Sequence, residues 1–253
     1  MSPASGPLLS PVADAAARTA AVGTARLLAA WCTGSPLPDA ADRRCEGVAD
    51  LAARRARVSQ SPFFTDGATA ALTGHRDHDP GTRDHSGDSE MVYDGANAYV
   101  RVGSSWTGFF LADPAGPRGP NDPLWPLDAL FGASGDAAEI GPEAVRGVPA
   151  TRYRVTVDLA RADAALPAGV SVPSGPYRSL RALPAEAWLD AAGLARRISV
   201  CPEPGAADAQ VWSIVELWDF GVAADITPPG PDEVLAPAEA YHLAEEDPPG
   251  RDP

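Results

Sequence analysis

The sequence predicts an α+β chain: an antiparallel sheet of hairpins with a few short helices laid on it. Three stretches carry that prediction. Leu183–Val200, LPAEAWLDAAGLARRISV, reads as strand, turn and strand. Asp190 opens the turn through its side-chain acceptor, and Gly193 stands where a three-residue loop with a bulge needs a positive φ. Ala150–Leu159 alternates, with Tyr153, Val155, Val157 and Leu159 on one face and Arg152, Arg154, Thr156 and Asp158 on the other. That is the pattern of an antiparallel strand with one wet side. Gln210–Phe220 sets Trp212, Ile214, Trp218 and Phe220, with only Glu216 among them, against Val211, Val215 and Leu217. A strand apolar on both faces is central or covered on both sides.

Residues 1–9 are rich in Pro, Ser and Gly and are expected to be disordered; residues 10–235 read as a single domain. Ser10 as N-cap and Pro11 at the first helical position open an Ala-rich helix, Val12–Val22, that Gly23 ends. Thr24–Thr33 and Cys45–Ser59 follow as strand-like runs joined by a Pro- and Asp-rich turn. The second is Ala-rich enough for a helix by periodicity, and strand is favoured because it then pairs with its neighbour. Phe63-Phe64 and Ala68–Thr73 lead into a polar loop insertion over residues 74–89. Glu90–Tyr93 and Asn97–Val102 form a hairpin around Asp94-Gly95. Trp106 and Phe109-Phe110-Leu111 add an apolar burst before a Pro- and Gly-rich loop.

Asp122 then caps, Pro123 starts and Gly132 ends a helix of about two turns. Leu124, Leu127 and Phe131 share one face, and Trp125 and Leu130 widen it. So short a helix is not stable alone and has to lie on something apolar. Ala160–Leu166 reads as another short helix. Asp232–Leu243 has helical character, and residues 236–253 form an acidic, Pro-rich tail.

Composition narrows the function. Of 253 residues 45% are hydrophobic and 21% charged, an ordinary globular balance. All the basic residues are Arg, and the net charge of −14 repels nucleic acid and anionic membrane surfaces. No apolar run is long enough to span a bilayer, and the first residues lack a charged start followed by an apolar core. The chain as written is therefore expected to carry no export signal, which makes it cytoplasmic by default. Cys32 and Cys45 could face each other across a hairpin and form a disulfide; the alternative is reduced cysteines in or near a core.

Chemistry is sparse. His75, His78 and His85, interleaved with Asp77, Asp79, Asp84 and Asp88, have metal-ligand character, but they share a Gly-, Asp- and Arg-rich loop with nothing to fix their geometry. A mobile surface loop is the better reading. Glu186 and Asp219 could pair for acid–base work if strand pairing joined them, although sheets commonly carry such acids on a solvated face. Arg152, Arg154, Arg196 and Arg197 could grip an anionic headgroup or simply line the wet side. There is no GxSxG and no Gly-rich phosphate loop. No catalytic residue, metal ligand or cofactor is assigned, and the chain is read as a non-enzyme.

The ordered set VRGVPATRYRVTVDL at Val145–Leu159, AWLDAAGLARRISV at Ala187–Val200, and ELWDFGVAADITPP at Glu216–Pro229 followed by Asp232-Glu233-Val234 resembles the LppX/LprG type of cell-envelope lipoprotein. That type belongs to the LolA-like lipoprotein-carrier superfamily. The resemblance spans about Ala25–Val234. It implies an open, strongly curved antiparallel half-barrel whose concave face is plugged by short helices. It further implies a cell-envelope location and a space that holds lipid or acyl chains without catalysis. On that reading an apolar ligand is lined by Trp106, Phe109, Leu124, Trp125, Leu127, Leu130, Phe131, Tyr153, Val155, Val157, Trp188, Trp212, Ile214 and Trp218. The partners are a lipid or other apolar small molecule and a second protein. The alternative is a regulatory or protein-interaction domain of the same fold with a filled core.

Overall fold

The computed structural model describes residues 11–41, 43–60, 89–95, 97–102, 105–110, 122–166, 182–203 and 210–235. The polar loop with its three histidines, the Phe63-Phe64 segment, the N-terminal residues and the tail lie outside them.

Helix α1 (Pro11–Ala21) leads through Gly23, at φ +93°, into the central strand β1 (Thr24–Thr33). From β1 the chain meanders outward through β2 (Arg43–Asp50), β3 (Arg55–Gln60), β4 (Ser89–Asp94), β5 (Asn97–Val102) and β6 (Ser105–Phe110). Helix α2 (Trp125–Leu130) follows. A second meander then runs inward from the far edge: β7 (Ala138–Val145), β8 (Val148–Asp158), helix α3 (Leu159–Ala165), β9 (Ala182–Asp190), β10 (Ala195–Glu203) and β11 (Val211–Trp218). The two meanders join where β11 pairs antiparallel with β1, Ala29 opposite Val215. Finally β12 (Val234–Leu235) pairs parallel with β6. The described residues thus form one open twelve-stranded sheet, ordered β12-β6-β5-β4-β3-β2-β1-β11-β10-β9-β8-β7.

The sheet is curved. Twelve strands at about 4.8 Å spacing would make a flat sheet roughly 50 Å wide, while a six-residue helix is only about 9 Å long. Yet Met91 and Tyr93 from one wing and Val155 and Leu183 from the other share a single apolar cluster with α2. The wings therefore curl toward the helix, and the face turned to it is the inner one.

The hairpin Leu183–Val200 forms as its residues dictate. Asp190 Oδ1 accepts from the backbone N–H groups of Ala192 and Leu194, Gly193 has φ +74°, and a bulge follows between Ala195 and Arg197. Strand β11 is central and buried on both faces. Other segments differ from expectation. Cys45–Ser59 is two strands around a turn at Leu51–Arg54, where Arg54 itself takes φ +57°. Strand β7 was not anticipated, because Gly141 and Pro142 interrupt its alternation. Of Asp232–Leu243, Asp232 and Glu233 lie in a 3-10 turn and Val234 and Leu235 in a strand, so no α-helix begins there. Cys32 and Cys45 lie on opposite faces of the sheet, which excludes a disulfide between them; both are buried thiols, as is Cys201.

Candidate functional site

Alternation along each strand sorts residues between the two faces. The inner face collects small and branched apolar side chains: Leu27 and Ala29 from β1, Ala49 from β2, Ala56 and Val58 from β3, Leu183, Ala185 and Ala187 from β9, Ile198 and Val200 from β10. The alanines leave room for helices to lie close. Helix α2 occupies that room, with Leu124, Trp125, Leu127 and Leu130 at most 1% exposed. Tyr153, Val155 and Val157 face the same space, and Phe131 packs against it. Eight of the fourteen ligand-lining residues expected from sequence therefore do come together.

Five of the others do not. Trp212 and Ile214 pack on the outer face with Leu28, Ala30, Cys32 and Cys201, and Trp218 lies against that cluster. Trp188 sits outside with Val145 and Ala150, and Trp106 with Val92 and Ile226 beneath the C-terminal segment. The side chain of Phe109 is outside the described residues.

Polar ties fix α2 on its apolar bed. The Trp125 indole N–H donates to Ser213 Oγ at 2.8 Å, linking the helix to β11. Asp122 Oδ1 accepts from the Leu124 N–H at 2.8 Å and so orders the turn that enters the helix. After the helix, Gly132 approaches the β8 end so closely that a Cβ there would lie 2.1 Å from the Asp158 carbonyl oxygen. The Asp158 N–H donates to the Gly132 carbonyl at 3.0 Å, and the Arg161 guanidinium of α3 donates to the carbonyls of Gly132 and Ala133. The remaining tie is ionic. Arg54 and Asp128, 5% and 1% exposed, meet at 2.5 Å, and the guanidinium lies 5.7 Å from the centre of the Phe131 ring.

The outer face is organised differently. Arg146 and Gly147 turn β7 into β8 at φ +49° and +78°, a two-residue turn of the kind that matches strand twist. From that turn Arg146 reaches Glu216 at 2.8 Å and Glu46 at 3.8 Å, and stacks 3.6 Å from the Trp218 ring. Glu216 continues to Arg197 (2.7 Å), Arg197 to Glu143 (3.3 Å), Glu143 to Arg152 (3.2 Å), and Arg152 through Glu186 to Arg154. Trp188 lies under both Arg152 and Arg197, each 4.9 Å from the ring. Eight charges alternate in one chain, and the side chains proposed as a headgroup grip are already engaged.

The acid pair considered from sequence is not assembled. Glu186 is held by Arg152 and Arg154. Asp219, past the end of β11, pairs with Arg26. Among the described residues no group of three His, Cys, Asp or Glu side chains is placed to hold a metal. Burial pushes the Cys45 thiol up to about 12, far from a nucleophile's range. No helix among the described residues is long and apolar enough to cross a membrane.

The fold defines a class: an open, curved antiparallel sheet with short helices on its inner face. Among solved structures, LprF from Mycobacterium bovis is similar, with a TM-score of 0.49 and 12% identity over 87% of this chain and 95% of that one. Lipoprotein LppX from Mycobacterium tuberculosis gives 0.47 and 9% over 85% and 98%. MucB, in the MucA/MucB complex of Pseudomonas aeruginosa, gives 0.36 and 15% over 91% of this chain and 62% of its own. The first two are of the same kind as the family that the sequence motifs resemble. No protein-family model matches the chain, and no curated protein matches it in sequence. Likenesses this distant carry no functional argument, so function rests on the residues themselves.

Proposed function

We propose that the protein binds the apolar chain of a lipid or similar small molecule without transforming it, the chain taking the place of α2 side chains against the inner face. One observation carries this reading: the large apolar inner face is covered near its centre by a six-residue helix. A helix that short has no stability of its own and is held by burial and a few polar ties. Burial is non-directional, so an acyl chain offering similar area at about 25 cal/mol per Å² replaces it on nearly equal terms. The test is native mass spectrometry of the purified full chain for co-purifying lipid, together with titration of a fluorescent acyl probe. Saturable binding is expected; neither lipid nor binding would sink the proposal.

A second reading has one observation in its favour. Trp125, Leu127, Ala129 and Leu130 are almost fully buried, so the chain's own side chains cover the inner face around α2. On that reading the chain is an interaction domain whose surface meets a protein partner, and the same titration separates the two.

A further inference from the structure

Helix α1 and the tip of the β9–β10 hairpin face each other across a cleft of about 280 Å³. Its floor belongs to the inner face. Leu189 is a member of the apolar cluster that holds α2, and Tyr153 packs against it. Thr151 lies on the same side of β8 as Tyr153, and α1 itself packs on α2. The cleft is therefore a place where the inner apolar space meets water. Both walls are fixed. Val12, Ala15 and Ala16 bury one side of α1, and Thr19 Oγ1 ties the helix to the sheet by accepting from the Ala195 N–H at 2.9 Å. Across the cleft, Asp190 is engaged by its own turn and by Arg196, which donates to Oδ2 at 2.7 Å. Asp14 and Arg18 face the opening from one turn apart on α1. They are 41% and 60% exposed and meet at 4.0 Å, whereas Arg152 and Arg197 reach their glutamates at 2.5 and 2.7 Å. So loose and exposed a pair contributes little and is easily parted. The Arg18 guanidinium leans over Gly193, where a Cβ would lie 2.7 Å from Nη1, so the bare glycine leaves it its place.

A cation and an anion side by side select a ligand that carries the same pair reversed. A purely anionic head would meet Arg18 but be repelled by Asp14 and by the chain's net charge of −14. A purely cationic head would meet the like charge of Arg18. A zwitterion satisfies both groups and carries no net charge to be repelled. Its phosphate can take two parallel N–H donors from the guanidinium, and an ammonium two carbons away reaches the carboxylate one helical turn along. We infer that this cleft receives the zwitterionic head, a phosphate joined to a primary ammonium, of the amphiphile whose chain enters the inner face. Arg18 takes the phosphate and Asp14 the ammonium. The inference rests on the apolar-chain reading and adds to it a ligand class, zwitterionic amphiphiles over neutral or anionic ones of equal chain length.

The experiment measures displacement of a fluorescent acyl probe from the full-length protein at pH 7 by three single-chain amphiphiles of equal chain length. These are a lysophosphatidylethanolamine, a lysophosphatidic acid and a monoacylglycerol, and free phosphoethanolamine serves as the head without a chain. Wild type is expected to bind the zwitterion about tenfold more tightly than the monoacylglycerol, the scale of one hydrogen bond to a charged group, and more tightly than the lysophosphatidic acid. Arg18→Gln is expected to bring the zwitterion down to the level of the monoacylglycerol. Asp14→Arg is expected to reverse the order of zwitterion and anion by tightening the lysophosphatidic acid severalfold, a gain that misfolding does not produce. Equal binding of the three by wild type, a zwitterion preference that survives Arg18→Gln, or an unreversed order in Asp14→Arg would overturn the head assignment while leaving chain binding intact. Free phosphoethanolamine displacing the probe as well as the zwitterionic amphiphile does would also overturn it, since the head would then be read without a chain. If wild type binds neither probe nor amphiphile, the apolar-chain reading fails, and the head assignment with it.

Discussion

On its inner side β9 presents Leu183, Ala185, Ala187 and Leu189; on its outer side the same strand presents Glu186 and Trp188. Strand β11 divides likewise, with Val215 and Leu217 inward and Trp212, Glu216 and Trp218 outward. The inner contacts are mostly dispersion and burial, which tolerate exchange of one apolar partner for another. The outer contacts are directional: Glu216 and Glu186 are each fixed by two arginines, and Trp188 is clamped between two of the same four, Arg152 and Arg197. The sheet is thus held by directional contacts on its convex side, and the exchangeable contacts are those of the concave side, where the proposed apolar chain would lie.

The strongest way to break this division is to put a charge where only apolar contacts exist. Leu127→Arg places a cation at a fully buried position of α2 and is expected to cost on the order of 4–5 kcal/mol or release the helix from its bed. Thermal melting reads the loss, and a variant that stays folded with α2 released is expected to bind the acyl probe more tightly, because the bed it would occupy is then uncovered. Next comes the outer chain. Glu216→Ala removes the nearer of the two carboxylates that hold the largely buried Arg197 and leaves Glu143 at 3.3 Å, at a cost of about 2–3 kcal/mol. Urea denaturation checks it, and if the faces work independently the probe still binds to the folded protein. A smaller effect is expected from Ser213→Ala, which strands the Trp125 indole N–H in the core for about 1–3 kcal/mol. It should destabilise α2 while sparing the outer network.

The smallest effect concerns pH. Burial pushes the Glu90 carboxyl up, but hydrogen bonds from Arg101 and Arg57 outweigh it and hold the group below its ordinary 4.5. Its contribution is therefore present above about pH 4.5 and fades as pH falls through the lowered folded value. Glu90→Gln should flatten the acid side of a plot of melting temperature against pH by lowering the melting temperature slightly in the neutral region and converging with wild type in acid.

Much of the fold was legible because the hairpins use ordinary turn chemistry: Asp190 with Gly193, and Asp94 with Gly95. The turn inside Cys45–Ser59 was hidden because Leu51-Ala52-Ala53-Arg54 contains no turn residue and Arg54 adopts the left-handed conformation that glycine usually supplies. Half of the candidate site was legible for a similar reason. Helix α2 announces itself through Asp122, Pro123 and Gly132, and the Tyr153, Val155, Val157 stripe through alternation. Trp106, Trp188, Trp212 and Trp218, unlike Trp125, lie away from the face expected of them, because ring size was weighed above company. Trp218 and Trp212 share their face with Glu216, and Trp188 shares its face with Glu186. A face that carries a carboxylate is the one that must meet arginine, and that is where these rings lie. The Arg54–Asp128 pair left no sequence signal, since its partners stand far apart along the chain and each looks like a surface charge.

The pairing of β1 with β11 also sets a timetable. Strand β1 finds β2 almost at once during synthesis, but its other edge waits until Val211–Trp218 leaves the ribosome, roughly 10–35 s later at about 5–20 residues per second. Through that interval an unpaired edge bearing Leu27, Leu28 and Trp31 is available to any passing strand. The nascent first meander is accordingly the part of this protein most in need of a chaperone, and the zipping of β11 onto β1 is the step that ends its exposure.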